Sequence, residues 1–535
     1  MDREVNIDRI RALEEQIKEQ EWAIAKLKRA RNSLLNISKL PPEVLGNIFR
    51  WNVTIKDDFG GLEEMSHNFL LVCYHWFEVA ARTPELWSFW GTDLEDWEEE
   101  HLSSNVRVPL DLVLYETVHT FGSFSESQRT VLKDRAARDT IRRIHLHIQS
   151  YDLSASIMSS LTSPCGGLQT NSLESLILYD ESSTPPDVSF LARFRLPRLR
   201  HLNLSGCIIS SWDHLISQTT LLTTLELFPD RMSSRPTILQ LLSMLASNPH
   251  LRGLTVNEHA IPDDDGDRPH HQVPLHHLEK LRLDGNVEQV FGLLSRLEYP
   301  ENMGKLSLSL SHCAATDVSQ TIGPYLRDHI RRRSKTSNEL GLFVSCLGSM
   351  VVFHAGEVAE LYLSTPQSKR MSSFVHITIG FDQILPVEQE KATLDLIAHT
   401  PQEEIAYFRA CRTLAAVEDL RVQMPNLKTL DLCTVPLYTT FPEPDFQAGS
   451  GVQENFPPSL QHLFLERLVV NGYDWIPLTA FLLRRASSGN RLDLLRVDGP
   501  CHMCFGLAEK IRGVVQRFDI DQGCLESWCP FGTCL

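Results

Sequence analysis

The chain has 535 residues, of which 42% are hydrophobic and 22% are charged, as in an ordinary soluble globular protein. Its formal net charge of −17 argues against nucleic-acid binding, which needs concentrated lysine and arginine. No apolar signal segment follows the first residue, and the longest apolar stretch, 340–353, is too short to span a bilayer. We therefore expect an intracellular protein, cytoplasmic or nuclear or both, that does not engage a membrane.

Residues 1–36 predict one long amphipathic helix, because the segment is rich in charge and contains no glycine or proline. Its apolar residues share two heptad positions, one held by isoleucine and the other by leucine: Ile10, Ile17 and Ile24; Leu13, Leu27 and Leu34. Gln20 and Arg31 interrupt this pattern. Two alternatives follow, a coiled coil that forms a homodimer and a stripe that packs on the helices downstream.

Residues 37–90 predict two short helices with more apolar surface than so small a unit can bury. Pro41 and Pro42 belong at a helix start, where a missing backbone N–H costs nothing. Apolar residues within Val44–Phe49 then recur on one helical face, and the block Phe69–Ala81 is apolar almost all round. Either the rest of the chain or a partner must cover these helices.

The order of these residues resembles the F-box, a small helical module that docks on the Skp adaptor of Skp–cullin–F-box ubiquitin ligases. Two blocks match: L-P-P-E at Leu40 with I-F at Ile48, then V-C at Val72 with Trp76 and P-E-L-W at Pro84. The leading helix before L-P-P-E is similar to that of large fungal F-box families. The sequence departs from the family at Tyr74 and His75, where a basic residue is usual, and in an acidic insert, Asn52–Asn68.

This resemblance implies that the first helices hold the adaptor, and through it a cullin, with these residues at the contact: Leu40, Pro41, Pro42, Glu43, Val44, Leu45, Ile48, Phe49, Val72, Cys73 and Trp76. The alternative is a two-helix subdomain that packs only on its own chain. An acidic linker, 91–105, follows and contains D-L-E-D-W-E-E-E, which we interpret as a solvated segment. It could also present an acidic surface to a basic partner.

From residue 106 to 500 the pattern L-x-x-L-x-L recurs, first at steps of 23 to 32 residues. The copies begin at Ile141, Leu173, Leu199, Leu222, Leu251, Leu278 and Met303, then at Val358, Leu427, Leu460 and Leu492. This pattern resembles the leucine-rich repeat, which implies an α/β fold: a curved solenoid with parallel strands inside and helices outside. Segments near 260–277, 309–357 and 364–425 match the repeat poorly and are interpreted as insertions.

Within each copy the second and third apolar residues lie two apart, so both point to the same side of a short strand. Apolar stripes between the copies predict helices, for example Ile238–Leu245 and Val287–Leu297. Residues between the leucines alternate onto the opposite side, among them Glu226, Arg282 and Asp431. We expect these residues to be exposed and a target protein to bind there.

The C-terminal segment, 501–535, is predicted to cap the last repeat. Cys501 and Cys504 followed by Cys524 and Cys529 suggest zinc ligands, although the second pair has four residues between its cysteines instead of two. Buried thiols are the preferred interpretation, so no metal site is assigned.

The sequence contains no phosphate-binding loop, zinc-protease motif or nucleophile elbow. We therefore expect a protein that is not an enzyme and needs no cofactor: the substrate-recognition subunit of a ubiquitin ligase. Two alternatives remain, a repeat-based interaction scaffold outside any ligase and, more remotely, a zinc-binding protein.

Overall fold

The computed structural model of the chain is mixed α/β with mostly parallel strands, as the sequence predicts. It divides into two compact units, residues 1–222 with 228–234 and residues 223–227 with 235–535. The residues that the structure describes are 2–53, 72–83, 86, 89–90, 109–115, 130, 134, 139–148, 171–181, 185–188, 191, 196–213, 215, 219–262, 272–301, 303–334, 340–347, 350–359, 370–381, 386–411, 424–433, 456–466, 475–498, 503–520 and 525–526. The acidic linker 91–105 and nearly all of the acidic insert lie outside them.

Three helices begin the first unit: α1 (Asp2–Ser33), α2 (Pro42–Val53) and α3 (Tyr74–Ala81). A 3₁₀ turn, Asn36–Lys39, separates α1 from α2. The single long N-terminal helix is confirmed, although it ends at Ser33, and α2 begins at the second proline as predicted. The amides of Val44 and Leu45 both donate to the Pro41 carbonyl, so the two prolines initiate the helix without losing a bond.

The first unit also contains five parallel strands that pair in chain order. They are β1 (Phe89–Trp90), β2 (Leu110–Tyr115), β3 (Ile141–Ile148), β4 (Ser175–Asp180) and β5 (His201–Ser205). Leu112, Ile144, Leu176 and Leu202 are neighbours in register, and all four are buried. One apolar residue per strand therefore stacks on the next across the sheet.

The second unit carries a longer sheet whose strands pair in the order β6-β7-β9-β11-β14-β13-β12-β15-β16-β17-β18-β20. All pairs are parallel except the two that β13 makes. The strands are β6 (Thr224–Phe228), β7 (Gly253–Val256), β9 (Lys280–Asn286), β11 (Lys305–Cys313), β12 (Leu340–Leu347), β13 (Met350–Ala359), β14 (Arg370–Phe381), β15 (Ile405–Cys411), β16 (Thr429–Cys433), β17 (His462–Glu466), β18 (Leu494–Asp498) and β20 (Arg517–Ile520). Two short parallel pairs lie outside it, β8 (Val273–Pro274) with β10 (Leu297–Glu298) and β19 (Met503–Cys504) with β21 (Leu525–Glu526).

A ladder of buried apolar side chains crosses this sheet. In-register neighbours run through Leu225, Leu254, Leu281, Leu306, Val375 and Ala355 on six successive strands, and through Phe408, Leu430, Leu463 and Leu495 on four more. Each of these ten side chains is buried. Such stacking lets each of these ten strands bury its apolar side against the strands beside it, which no strand could do alone.

Nine copies of L-x-x-L-x-L start two residues before a parallel strand, and the copy at Ile141 starts with its strand. The copy at Val358 differs, because Val358 lies near the end of antiparallel β13 and its following residues are outside the described part of the chain. The segments interpreted as insertions, 309–357 and 364–425, contribute β12 to β15 to the same sheet. The C-terminal segment likewise adds β20 beside β18.

Helices occupy the intervals between strands in the second unit: α4 (Ile238–Ala246), α5 (Val287–Leu294), α6 (Gly323–Ser334), α7 (Pro386–Ala398), α8 (Trp475–Ser487) and α9 (Phe505–Val514). One helical turn, Ala315–Asp317, and a π-helical turn, Val318–Ile322, precede α6. Thr237 and Asn286 cap α4 and α5 in reciprocal capping boxes with the glutamine three residues on. Among the described helices, none combines the length and the apolar composition that crossing a bilayer requires.

Arg485, near the end of α8, is fully buried and donates to four backbone carbonyls. Its Nε bonds the Asn490 carbonyl at 3.1 Å, Nη1 bonds Pro457 at 3.1 Å, and Nη2 bonds Pro458 at 3.3 Å and Leu460 at 3.0 Å. The planar guanidinium thus joins the end of the helix to the turn that precedes β17. A lysine ammonium could not reproduce this arrangement.

We predict that Arg485→Lys lowers the free energy of unfolding by about 2–4 kcal/mol, because buried carbonyls lose their donors. Urea denaturation measures the change. Arg484→Lys, one residue earlier and partly exposed, is the matched control and should cost less than about 0.5 kcal/mol. Equal effects of the two substitutions would contradict the role assigned to Arg485.

Candidate functional site

The helix pair α2–α3 has its own small core. Leu45 and Phe49 from α2 pack with Val79 and Ala80 from α3 and with Leu86, and all five are buried. Leu40 and Trp76 lie partly buried against this core, and the rings of Phe49 and Trp76 are 5.1 Å apart between centroids. The face of α2 that carries Leu45 and Phe49 therefore holds the pair together.

The structure divides the residues predicted to bind an adaptor into three groups. Leu45 and Phe49 are buried in the core; Leu40, Cys73 and Trp76 are partly buried; and Pro41, Pro42, Glu43, Val44, Ile48 and Val72 are exposed. Only the partly buried and exposed groups are able to contact a partner without unfolding. Sequence periodicity could not separate these groups, since Val44, Leu45, Ile48 and Phe49 all fit one broad apolar face.

Val44 and Ile48, which are 40% and 43% exposed, begin an apolar stripe along α2. Trp51, which is 83% exposed, continues this stripe at helical spacing and was not among the predicted residues. Applying the helical spacing once more, three residues beyond Ile48, would have identified Trp51 in the sequence. On the α3 side Val72, Tyr74 and Phe77 are exposed as well. We call these six residues the apolar surface of the helix pair.

Helix α1 contacts the pair through a cation–π interaction, in which the Arg29 guanidinium carbon lies 4.0 Å from the centroid of the Tyr74 ring. The apolar stripe of α1 does not take part. Its six residues, Ile10 to Leu34, are each more than half exposed. The alternative in which this stripe packs on the downstream helices is therefore wrong for this structure.

The strand residues expected to be exposed in the second unit differ in their surroundings. Arg282 is exposed and pairs with Asp284 at 3.1 Å, whereas Glu226 is partly buried. Burial raises the pKa of Glu226, and Arg282 and Lys280 offset part of this effect. Asp431 is only 3% exposed, so its predicted exposure is wrong. The alternation of apolar and polar residues correctly predicted the side of the strand on which each residue lies, but it could not predict which other side chains cover that side.

Asp431 belongs to a charged network on β15, β16 and β17. The Tyr407 hydroxyl donates to Asp431 Oδ2 at 2.9 Å, and Arg409 lies 3.4 Å from the same oxygen while donating to Glu466 at 2.7 Å. Asp431 Oδ1 accepts no hydrogen bond within the described part of the chain. Burial raises the pKa of Asp431 to about 6, because Arg409 offsets only part of the desolvation, and Glu466 and Asp498 add repulsion.

The candidate zinc ligands cannot be placed together. Cys501, Cys524 and Cys529 lie outside the described residues, and Cys504 lies in β19 in register with Glu526. Elsewhere Cys207 is buried, and desolvation raises the pKa of its thiol. No cluster of three or more histidine, cysteine or acidic side chains suited to a metal occurs among the described residues.

We predict that the free energy of unfolding of the Asp431→Asn variant, relative to that of the wild type, increases as the pH rises from 4 to 7. The carboxyl of Asp431 has an ordinary pKa of about 3.8 in the unfolded chain, whereas burial raises its pKa to about 6 in the folded chain. Wild-type stability should therefore fall across this interval by about 3 kcal/mol relative to the asparagine variant. Urea unfolding of both proteins at a series of pH values measures the difference. A difference independent of pH would contradict the raised pKa.

Comparison with protein-family models and with curated proteins gave no match to either. The function is therefore inferred from the residues and their geometry.

Proposed function

We propose that this chain is a non-catalytic substrate receptor of a Skp–cullin–F-box ubiquitin ligase. The helix pair α2–α3 acts as the F-box and binds a Skp-type adaptor, which links the chain to a cullin. The strands that follow act as leucine-rich repeats and bind a target protein. Ubiquitin transfer belongs to other subunits, and this chain contributes proximity between the target and the transfer machinery.

The apolar surface of the helix pair carries the proposal. A free-standing soluble helix pair gains stability by burying its apolar stripe, as Leu45 and Phe49 do here. Val44, Ile48 and Trp51 lie on the same helix but are left in water. Exposed apolar patches with polar surroundings are typical of protein-binding sites. The order of residues resembles an F-box, and this resemblance supports a Skp-type adaptor as the partner.

The polar side of the second unit supports the target-binding half of the proposal. Beside the buried apolar positions, several strands present charged residues such as Arg282, Arg409, Glu466 and Arg496. Side chains on this face are not needed for the apolar ladder, so their identity can specify a partner where they are accessible. Mixed charge gives specificity and fast association more than affinity. We propose that the target binds here, in the cytoplasm or the nucleus, without a cofactor.

Ile48→Asp in the full chain is expected to weaken binding of a purified Skp-type adaptor at least thirtyfold, or by about 2 kcal/mol. The aspartate places an unpaired charge in the apolar contact, while the exposure of Ile48 leaves the fold intact. Biolayer interferometry with immobilised adaptor measures the affinity. Leu45→Asp is not an adequate test, because it would unfold the helix pair.

Leu239→Asp is the matched control. Leu239 is an exposed apolar residue of α4, so the chemical change is the same on a different surface. The affinity of the Leu239→Asp variant for the adaptor should equal that of the wild type. If the wild-type chain fails to retain the adaptor, the ligase proposal is lost and an interaction scaffold takes its place. If Ile48→Asp binds as tightly as the wild type, the wrong surface has been identified.

A further inference from the structure

The N-terminal helix α1 presents an apolar stripe that is exposed to solvent and that none of the described residues covers. Five residues within the regular heptad pattern are 51–71% exposed: Ile10, Leu13, Ile17, Ile24 and Leu27. We call these five residues the seam. They lie on one face of the helix, because each occupies heptad position a or d, and Gln20 takes the d position between Ile17 and Ile24. Single exposed apolar residues are ordinary, but five on one face of one helix indicate an interface.

We propose that a second copy of this chain covers the seam, so that the protein is a homodimer joined by a parallel two-stranded coiled coil. The choice of residues supports two strands. Isoleucine holds each apolar a position and leucine each apolar d position, which is the combination that favours parallel dimers. This proposal goes beyond the ubiquitin-ligase function and does not rest on it.

The flanking charges favour the parallel orientation. With Ile10 at a, Arg9 occupies a g position and Glu14 the next e position. In a parallel dimer Arg9 of one copy faces Glu14 of the second copy, and symmetry forms this pair twice. In the antiparallel register that aligns the same seam, Glu14 would face Glu21 and repel it. Charge complementarity therefore selects one orientation of the second copy.

The two polar interruptions are compatible with this dimer. Gln20 takes one d position, where a polar residue lowers stability but fixes the register. Arg31 takes an a position in the last turn of α1, and its exposed guanidinium donates to Asn32 Oδ1 at 2.9 Å, so its charge lies in water.

The contact between α1 and the helix pair leaves the seam free. Arg29, which lies over the Tyr74 ring, occupies the f position, on the side of α1 opposite to a and d. The helix pair therefore contacts the side of α1 that is opposite to the seam, and the seam faces away from the helix pair. A second copy can bind the seam without breaking this contact.

Sedimentation equilibrium of the full wild-type chain, without any adaptor, tests the proposal. The expected result is twice the monomer mass at micromolar concentration. Ile17→Asp should raise the dimer dissociation constant at least a hundredfold, since each copy places a charge in the seam. Trp22→Asp is the matched control, because Trp22 lies at an f position and is 70% exposed. It should leave the dimer intact.

A charge exchange tests the orientation. Arg9→Glu and Glu14→Arg should each weaken the dimer several-fold, and the double variant should restore it, because the exchanged pair has the same attraction.

A monomeric wild type, or a dimer that survives Ile17→Asp, overturns the proposal. Weakening by Trp22→Asp equal to that by Ile17→Asp would also overturn it, since another face would then be responsible. A double variant weaker than either single one would exclude the parallel orientation. Loss of adaptor binding alone would leave the dimer unaffected.

Discussion

The stacking of one buried apolar side chain on the next, strand after strand, is the constraint on which this structure depends. Parallel strands align equivalent residues, so the leucines of L-x-x-L-x-L meet across the sheet wherever two strands pair in register. Each strand obtains its backbone hydrogen bonds and its apolar neighbours from the strands beside it. The antiparallel strand β13 preserves this ladder where it pairs with β14, because Phe353 and Ala355 meet Ile377 and Val375 in register. The sheet can thus accept antiparallel strands without losing its core.

The same stacking gathers charge on the other side of the strands. Because equivalent positions align, Arg409 and Asp431 become direct neighbours in register although 22 positions separate them in the sequence. Asp431 is then buried among Tyr407, Arg409 and Glu466, and its pKa rises. The side of the strands on which we propose that a target binds therefore also contains a carboxyl group whose ionised form is disfavoured by burial. Buried charge of this kind adds little to stability, because the cost of desolvation offsets much of the attraction between the charges.

The N-terminal helices bury some of their apolar residues and leave others exposed. Leu45 and Phe49 stabilise the helix pair, while Val44, Ile48 and Trp51 on the adjoining stripe remain in water. The α1 seam is a second exposed stripe, for which we propose a different partner. If both proposals hold, the adaptor and the second copy bind different helices of the same unit, so one chain could hold both at once.

The sequence by itself determined the element types, the spacing of the repeated strands and the start of α2 at two prolines, because periodicity and proline chemistry act locally. Tertiary structure alone decided which apolar residues of α2 are buried. Leu45 and Val44 are both apolar neighbours on the helix, but only Leu45 is covered by other side chains. Tertiary structure also decided that β12 to β15 join the sheet despite their poor match to the repeat, since pairing depends on backbone register more than on leucine. The burial of Asp431 and the four carbonyl bonds of Arg485 arise between segments distant in sequence, and no local pattern contains that information.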